Sequence, residues 1–211
     1  KNMIGAFHQP TSVFTDTSVL KTLIPRQYSA GIAEIIKYGL VLDESFFEWL
    51  EKHLEALLAL DAHTLAFAVR RSCELKAAIV SEDERDLGQR ALLNFGHTFG
   101  HALESLGQLD QWLHGEAVSI GMSIAARTSY SLGFISDADC ERIDSLLLRA
   151  NLPVAFKDLD PDKLLEFMQL DKKVGTEGLK LILLKQIGEG IITAAPNDSI
   201  LKSVIGAKAK I

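Results

Sequence analysis

Apolar residues recur every three or four positions along most of the chain, the spacing that places side chains on one face of an α-helix. The clearest apolar stripe consists of Phe46, Phe47, Leu50, Leu54, Leu57 and Leu58. Asp43, Asp61 and Ser136 precede periodic stretches and are suitable N-caps. Pro25 and Pro161 suit a first helical turn. The sequence therefore predicts helices at residues 17–23, 25–38, 44–60, 62–80, 115–132, 137–150 and 161–168, one that ends near residue 107, and a last one from residue 197.

The remaining pattern marks where helices stop and where the chain is extended. Gly39 is predicted to end the first long helix, because glycine commonly follows a last helical turn. Leu179–Leu184 and Ile191–Ala194 have the composition of strands, with glycines between them that favour a turn. The segment from Met3 to Thr17 is predicted to contain a short extended piece that ends at Asp16. The predicted fold class is mainly α, a helical bundle with a short β-hairpin near the C-terminus.

Composition and charge are those of an ordinary globular protein. The chain has 211 residues, of which 47% are hydrophobic and 24% are charged, and its net charge is -6. This acidic balance argues against nucleic acid as a partner. No apolar run approaches the roughly 20 residues that span a bilayer, so we expect no membrane partner and a cytoplasmic location. Cys73 and Cys140 lie in separate helical patterns and are predicted to be reduced, buried thiols.

The stretch from Arg90 to Glu116 carries the strongest functional signal, because it holds three of the six histidines. His97 and His101 are four positions apart and share a helical face, and a short loop could return His114 to them. Three imidazoles within reach fit a divalent metal ion. Capping or surface positions explain His101 and His114 equally well, so spacing alone leaves both interpretations open.

Charged residues on the predicted helices each allow two interpretations. Glu34 and Lys37 are three positions apart among small and apolar residues, where a carboxylate is either a surface group or a ligand. Lys76 lies beside an apolar face, so its ammonium either meets an anion or extends to water. The acidic stretch at residues 81–88 lacks EF-hand spacing and is predicted to be a solvated loop. His-Glu-x-x-His, Gly-x-Ser-x-Gly, Walker A and Gly-x-Gly-x-x-Gly motifs do not occur.

Five blocks along the chain are informative in combination. They are Lys1-Asn2-Met3-Ile4-Gly5-Ala6-Phe7 with Gln9-Pro10, Ala30-Gly31-Ile32-Ala33-Glu34-Ile35-Ile36-Lys37-Tyr38-Gly39, Leu93-Asn94-Phe95-Gly96-His97-Thr98-Phe99-Gly100-His101-Ala102, Leu113-His114-Gly115-Glu116-Ala117 and Asp171-Lys172-Lys173. Together they resemble the C-terminal part of the 3-dehydroquinate synthase family, which belongs to the sugar-phosphate cyclases. The blocks are spread over nearly the whole chain in the order that the family has them, which makes the combination specific.

The resemblance implies a divalent metal ion, with zinc expected and cobalt as the alternative. The implied metal ligands are Glu34, His97 and His114. His101 is assigned to the substrate pocket and not to the metal. The implied substrate-binding residues are Lys1, Asn2, Lys37, Lys76, Arg90, Asn94, His101 and Lys172, with Lys172 preferred to Lys173. The implied catalytic residues are His101, Lys37 and Asn94, and the resemblance suggests Lys76 and Arg90 for the substrate carboxylate.

The resemblance also implies a reaction, the conversion of 3-deoxy-D-arabino-heptulosonate 7-phosphate (DAHP) to 3-dehydroquinate with release of phosphate. This step belongs to the shikimate pathway of aromatic amino acid biosynthesis, and in the family NAD takes a hydride and later returns it. The chain opens at Lys1 and lacks the family's nucleotide-binding half, so we expect a fragment that is inactive alone. Residues 1–17 are then the tail of the α/β NAD-binding domain with a substrate loop, and residues 18–211 form the helical domain. The full-length enzyme is expected to be a homodimer.

Two other functions stay open from the sequence. The first is a sister cyclase that acts on a different sugar phosphate. Lys76 and Arg90 argue against it, because a substrate without a carboxylate has less use for them. The second is a noncatalytic helical metal-binding or interaction domain. A structural zinc site would not need Lys37, Lys76, Arg90, Asn94 or His101.

Overall fold

The computed structural model describes residues 10–83, 88–106, 112–157, 159–170 and 178–209. Within these residues the α-helices are Pro25–Leu42 (α1), Glu44–Leu58 (α2), Ala62–Glu82 (α3), His97–Leu106 (α4), His114–Ser131 (α5), Asp137–Arg149 (α6), Pro161–Leu170 (α7) and Asp198–Lys208 (α8). The 3-10 helices are Thr17–Thr22 and Gln89–Asn94, and the strands are Lys180–Gln186 (β1) and Glu189–Ala194 (β2). The predicted mainly α fold with a C-terminal hairpin is confirmed.

Helix α5 forms the centre of the bundle. It packs against α1, α4, α6, α8 and β1, and most of its side chains are buried. Small residues such as Ala117, Ser119 and Gly121 allow this close packing, as the sequence predicts. Phe99 and Met122 are fully buried where α4 meets α5, and burial of such a side chain contributes about 1.5–3 kcal/mol. The position of α5 therefore fixes α1 and α4, which carry the candidate site.

The hairpin of β1 and β2 is antiparallel and is tied to two helices of the bundle. Leu181–Leu184 of β1 are buried, and the backbone N–H of Leu184 donates to Oγ of Ser129 on α5 at 2.9 Å. At the turn, Gly188 has a φ of +86°, and its N–H donates to the carbonyl oxygen of Leu40 on α1 at 2.8 Å. The hairpin therefore holds the C-terminal end of α1 in place.

The expectation that Gly39 ends the first long helix is wrong. Helix α1 continues to Leu42, and Asp43 then caps α2 by accepting a hydrogen bond from the backbone N–H of Phe46 at 3.1 Å. A Cβ on Gly39 would lie 3.0 Å from the Cα of Phe47. Glycine is needed at this position because α1 and α2 approach each other closely, and the helix does not stop there.

The two cysteines lie in different environments. Cys140 is buried, as expected, and burial raises the pKa of its thiol to about 11. Cys73 is exposed, so the expectation of a buried thiol is wrong at this position. The reason is that α3 buries only a narrow face, formed by Leu65, Ala68 and Ile79, and Cys73 lies off that face.

The N-terminal segment is described from residue 10 onward. Residues 10–16 contain no helix or strand, and Phe14 is 95% exposed. The division of the chain at residue 17 stays a prediction. Among the described helices, none has both the length and the apolar character that a membrane crossing requires.

Candidate metal and anion site

Three side chains from three helices converge at one end of α5. Glu34 lies in the middle of α1, and His97 and His114 are the first residues of α4 and α5. Oε1 of Glu34 lies 3.7 Å from Nε2 of His97 and 3.8 Å from Nε2 of His114. Two ligand atoms bound to one tetrahedral zinc ion lie roughly 3.4 Å apart. The three groups, whose donor atoms all lie within 4.8 Å of one another, are therefore spaced to share one ion.

The carboxylate of Glu34 has one satisfied oxygen and one that lacks a partner. Oε2 accepts a hydrogen bond from Nζ of Lys37 at 2.5 Å. Oε1 is buried and has no hydrogen-bond partner among the described residues. A buried, unpaired carboxylate oxygen costs free energy unless a cation or a donor meets it. This oxygen faces both imidazoles, so the donor set fits a divalent ion.

Each imidazole is oriented through its Nδ1 atom. Nδ1 of His97 lies 3.2 Å from the carbonyl oxygen of Phe95, and Nδ1 of His114 lies 3.1 Å from Oε1 of Glu104. Both partners are acceptors, so each Nδ1 is placed to donate a hydrogen bond, and each Nε2 faces Glu34. Burial, with a smaller effect of the Lys37 charge, lowers the pKa of His97 to about 4. The His97 ring is therefore neutral at pH 7, the form that binds a metal.

Two glycines on α5 set the distances between the helices that carry these groups. A Cβ on Gly115 would overlap the carbonyl oxygen of Ala30 and lie 2.7 Å from its Cα, so α1 and α5 touch backbone to backbone. A Cβ on Gly121 would overlap the carbonyl oxygen of Gly96 in the same way. The first contact, at Ala30, lies one turn before Glu34 on α1. The second contact, at Gly96, lies directly before His97, which starts α4.

The start of α5 is also fixed by a carboxylate. Oε2 of Glu116 accepts a hydrogen bond from the backbone N–H of Leu113 at 2.9 Å. Arg26 at the start of α1 binds both oxygens of Glu116, at 2.6 and 2.7 Å, and this pairing lowers the pKa of Glu116. Paired Arg–carboxylate bonds are directional, so they add rigidity where His114 begins the helix.

A cleft of about 220 Å³ lies beside the three donor groups. Its walls are Glu34, Lys37, Tyr38, Lys76, Arg90, Leu93, Asn94 and His97. Three helical segments therefore bring three cations and an amide together next to two of the candidate metal ligands. Burial is the main cause of a lowered pKa at Lys37, with Lys76 adding to it and Glu34 opposing it. Such a cleft is suited to a small anion that also carries metal-binding oxygens.

The other predicted site residues fall into two groups. The ring of His101 is exposed and lies 5.5 Å from the ring of His97 and 6.0 Å from that of His114. His101 is thus next to the donor groups but is not part of the set around Glu34. Lys1, Asn2, Lys172 and Lys173 lie outside the described residues.

The comparisons with known proteins agree with one another over most of the chain. The family model for the 3-dehydroquinate synthase C-terminal region matches residues 31–174, and the model for its N-terminal region matches residues 1–30. The chain belongs to the 3-dehydroquinate synthase family. A curated 3-dehydroquinate synthase from Acinetobacter baylyi is 52% identical over 205 residues, which cover 97% of this chain and 57% of the relative. The chain thus spans just over half the length of that family member.

Solved structures of related cyclases have the same fold. ValA, a 2-epi-5-epi-valiolone synthase from Streptomyces hygroscopicus with NAD+ and Zn2+ bound, matches 99% of this chain and 58% of its own, with a TM-score of 0.89 and 25% identity. A 2-deoxy-scyllo-inosose synthase complexed with carbaglucose-6-phosphate, NAD+ and Co2+ matches 99% of this chain and 59% of its own, with a TM-score of 0.82 and 27% identity. Both of these complexes hold NAD+ and a divalent metal ion.

Sequence reasoning missed several residues of the site in this family member. Glu104 binds His114, Tyr38 lines the cleft, and Arg26 pairs with Glu116. Helical spacing could have found Glu104, because it lies three positions after His101 on the same face of α4. The contact between Arg26 and Glu116 joins α1 to α5 and has no local signal.

Proposed function

We propose that this chain carries the metal- and substrate-binding part of a 3-dehydroquinate synthase, which converts DAHP to 3-dehydroquinate with release of phosphate. One observation carries the proposal. Donor groups from α1, α4 and α5 meet at the edge of a cleft that Lys37, Lys76 and Arg90 line. DAHP has a carboxylate and a phosphate at its ends and hydroxyl groups between them, which this combination of cations and metal ligands suits.

The proposed metal ligands are Glu34, His97 and His114. Two imidazole nitrogens and one carboxylate oxygen form a donor set that zinc prefers, and cobalt is the alternative. The unpaired Oε1 of Glu34 supports this assignment. A bound divalent ion would supply a Lewis acid that polarises a substrate oxygen. The protein supplies three ligands, which leaves coordination positions for the substrate.

The cleft residues are proposed to bind and orient the substrate. Lys76 and Arg90 are assigned to the carboxylate, where charge-assisted hydrogen bonds fix one end of the molecule. Lys37 is buried, lies against Glu34 and lines the cleft, so it is proposed to contact the substrate next to the metal ion. Asn94 offers both a donor and an acceptor to substrate hydroxyls. Orientation by several fixed groups lowers the entropic cost of reaching the transition state.

NAD is the second proposed cofactor. Its use is assigned to a protein longer than this chain. The proposed reaction removes a hydride and returns it, which requires a redox cofactor. The chain spans 57% of the curated relative, so we assign turnover to a form with the relative's full length. The 211-residue chain alone is expected to bind the metal without turnover. A homodimer and a cytoplasmic location are also proposed for the full-length form.

Release of phosphate from DAHP tests this function. A form of the relative's full length, supplied with NAD and zinc, is expected to release phosphate and form 3-dehydroquinate, with no net consumption of NAD. The Lys76→Met and Arg90→Met variants are expected to raise KM, because each removes a charge from the cleft. Activity with sugar phosphates that lack a carboxylate, combined with no activity on DAHP, would support a sister cyclase and contradict the proposal.

Substituting His101 separates its role from that of the metal ligands. In the full-length form, His101→Ala is expected to lower kcat by about 10²–10⁴, the contribution typical of a proton-transferring group, and to retain the metal. His101 lies beside the donor groups but outside the set around Glu34. Metal content by elemental analysis and kcat by phosphate release provide the two measurements.

The matched control for this variant is His63→Ala, since His63 is an exposed histidine on α3. It is expected to change neither metal content nor kcat. Loss of the metal in His101→Ala would make His101 a ligand, and an unchanged kcat would remove it from the catalytic residues.

A further inference from the structure

Glu104 lies behind one of the proposed metal ligands. It is on the last turns of α4, and its Oε1 lies 3.1 Å from Nδ1 of His114 across the gap between α4 and α5. The side chain of Glu104 is 21% exposed, whereas that of His114 is 49% exposed. The contact therefore joins a largely buried carboxylate to the most exposed of the three proposed ligands.

The two histidine ligands are held in different ways. His97 is 13% exposed and faces the carbonyl oxygen of Phe95, so packing and backbone fix its ring. His114 begins α5 with half of its surface in solvent, where an imidazole can rotate about its side-chain bonds. A carboxylate that binds Nδ1 selects the rotamer that points Nε2 at Glu34. It also fixes the proton on Nδ1 and makes Nε2 a stronger base.

We propose that Glu104 is a positioning residue that orients His114 and raises its affinity for the divalent ion. The inference rests on the proposed function, because it requires the ligand set of Glu34, His97 and His114. Glu104 does not touch the ion in this arrangement and acts through the imidazole. Removing a residue that hydrogen-bonds to a metal ligand typically weakens metal binding by about 10–100-fold.

A different role for Glu104 has to be separated from this one. His101, Glu104 and His114 form a second group of donor atoms within 4.8 Å of one another. If Glu104 were a ligand there, the ion would take the place of the Nδ1 proton of His114. If the second group held an ion in addition to the first, the chain would bind two ions, whereas the positioning role predicts one ion per chain.

Cobalt binding to the 211-residue chain provides the test, since Co2+ gives a visible spectrum that reports its coordination. The variants are Glu104→Gln, which keeps an acceptor but loses the charge, and Glu104→Ala, which removes both. Glu141→Gln is the matched control, because Glu141 is an exposed glutamate on α6. Affinity is measured by competition with a chelator, and circular dichroism checks that each variant is folded.

The expected order of affinity is wild type, then Glu104→Gln, then Glu104→Ala, with the last weaker by about 10–100-fold. All three are expected to bind one ion, and the control should match the wild type. In the metal-free chain, the 15N shifts of His114 should show a single tautomer that becomes mixed in Glu104→Ala. This second readout does not depend on metal binding.

Different results would overturn the inference in different ways. Wild-type affinity and an unchanged His114 tautomer in Glu104→Ala would remove the positioning role while leaving the proposed function in place. Two ions in the wild type and one in Glu104→Ala would make Glu104 a ligand of a second site. No binding by the wild-type chain would overturn both the inference and the proposed ligand set.

Discussion

Replacing Gly115 with alanine is expected to destabilise the chain by about 2–3 kcal/mol and to weaken metal binding together with stability. The added Cβ would overlap the carbonyl oxygen of Ala30 and lie 2.6 Å from its carbonyl carbon. Both atoms belong to the backbone of α1, so no side-chain rotation relieves the overlap. The helices must move apart at the point where His114 faces Glu34, which lengthens the distance between two proposed ligands.

The same substitution at Gly31 is the matched control. Gly31 also lies in a helix, but nothing would lie within 4 Å of its added Cβ. Alanine in a helix interior is favoured over glycine by roughly 0.5–1 kcal/mol, so Gly31→Ala is expected to stabilise slightly. Urea unfolding and chelator competition, measured on both variants, give the two quantities. Equal unfolding midpoints for both variants would contradict the backbone contact between α1 and α5.

The helices of this fold could be predicted because their signals are local. Asp43 and Asp61 cap helices as expected, and the apolar stripe of α2 is buried except for Leu58, which is partly buried. The failure at Gly39 has a physical reason. Glycine both ends helices and permits close packing, and the sequence around it does not distinguish the two uses. Only the contact with Phe47 of the next helix decides between them.

Local sequence patterns predicted the candidate site less completely than the helices. Helical spacing pairs His97 with His101, but the donor set with the unpaired oxygen consists of Glu34, His97 and His114. Glu34 reaches the histidines because α1 packs on α5, and this contact between distant segments has no periodic signal. Family resemblance supplied the assignment that spacing could not, and the assignment stays a proposal until the metal is measured.

The second large effect is expected from Glu34→Gln, which should weaken zinc binding by at least about 100-fold. This exceeds the loss of about 10–100-fold that is typical when a hydrogen-bond partner of a metal ligand is removed. The substitution keeps the shape of the side chain but removes its negative charge. The remaining strong donors would be two imidazoles next to the ammonium of Lys37, which lies 2.5 Å from Glu34 in the wild type. A cation beside an uncompensated ammonium is electrostatically unfavourable.

Zinc-dependent stability measures this loss without any assay of turnover. Zinc at 100 times its Kd should stabilise the wild-type chain by about 2.7 kcal/mol, which corresponds to a rise in Tm of roughly 5–10 °C. In Glu34→Gln the same zinc concentration should leave Tm nearly unchanged. Glu48→Gln, an exposed glutamate on α2, should keep the full rise. A full rise in Glu34→Gln would exclude Glu34 as a ligand. The unpaired Oε1 would then require another donor, because burial without any partner is costly.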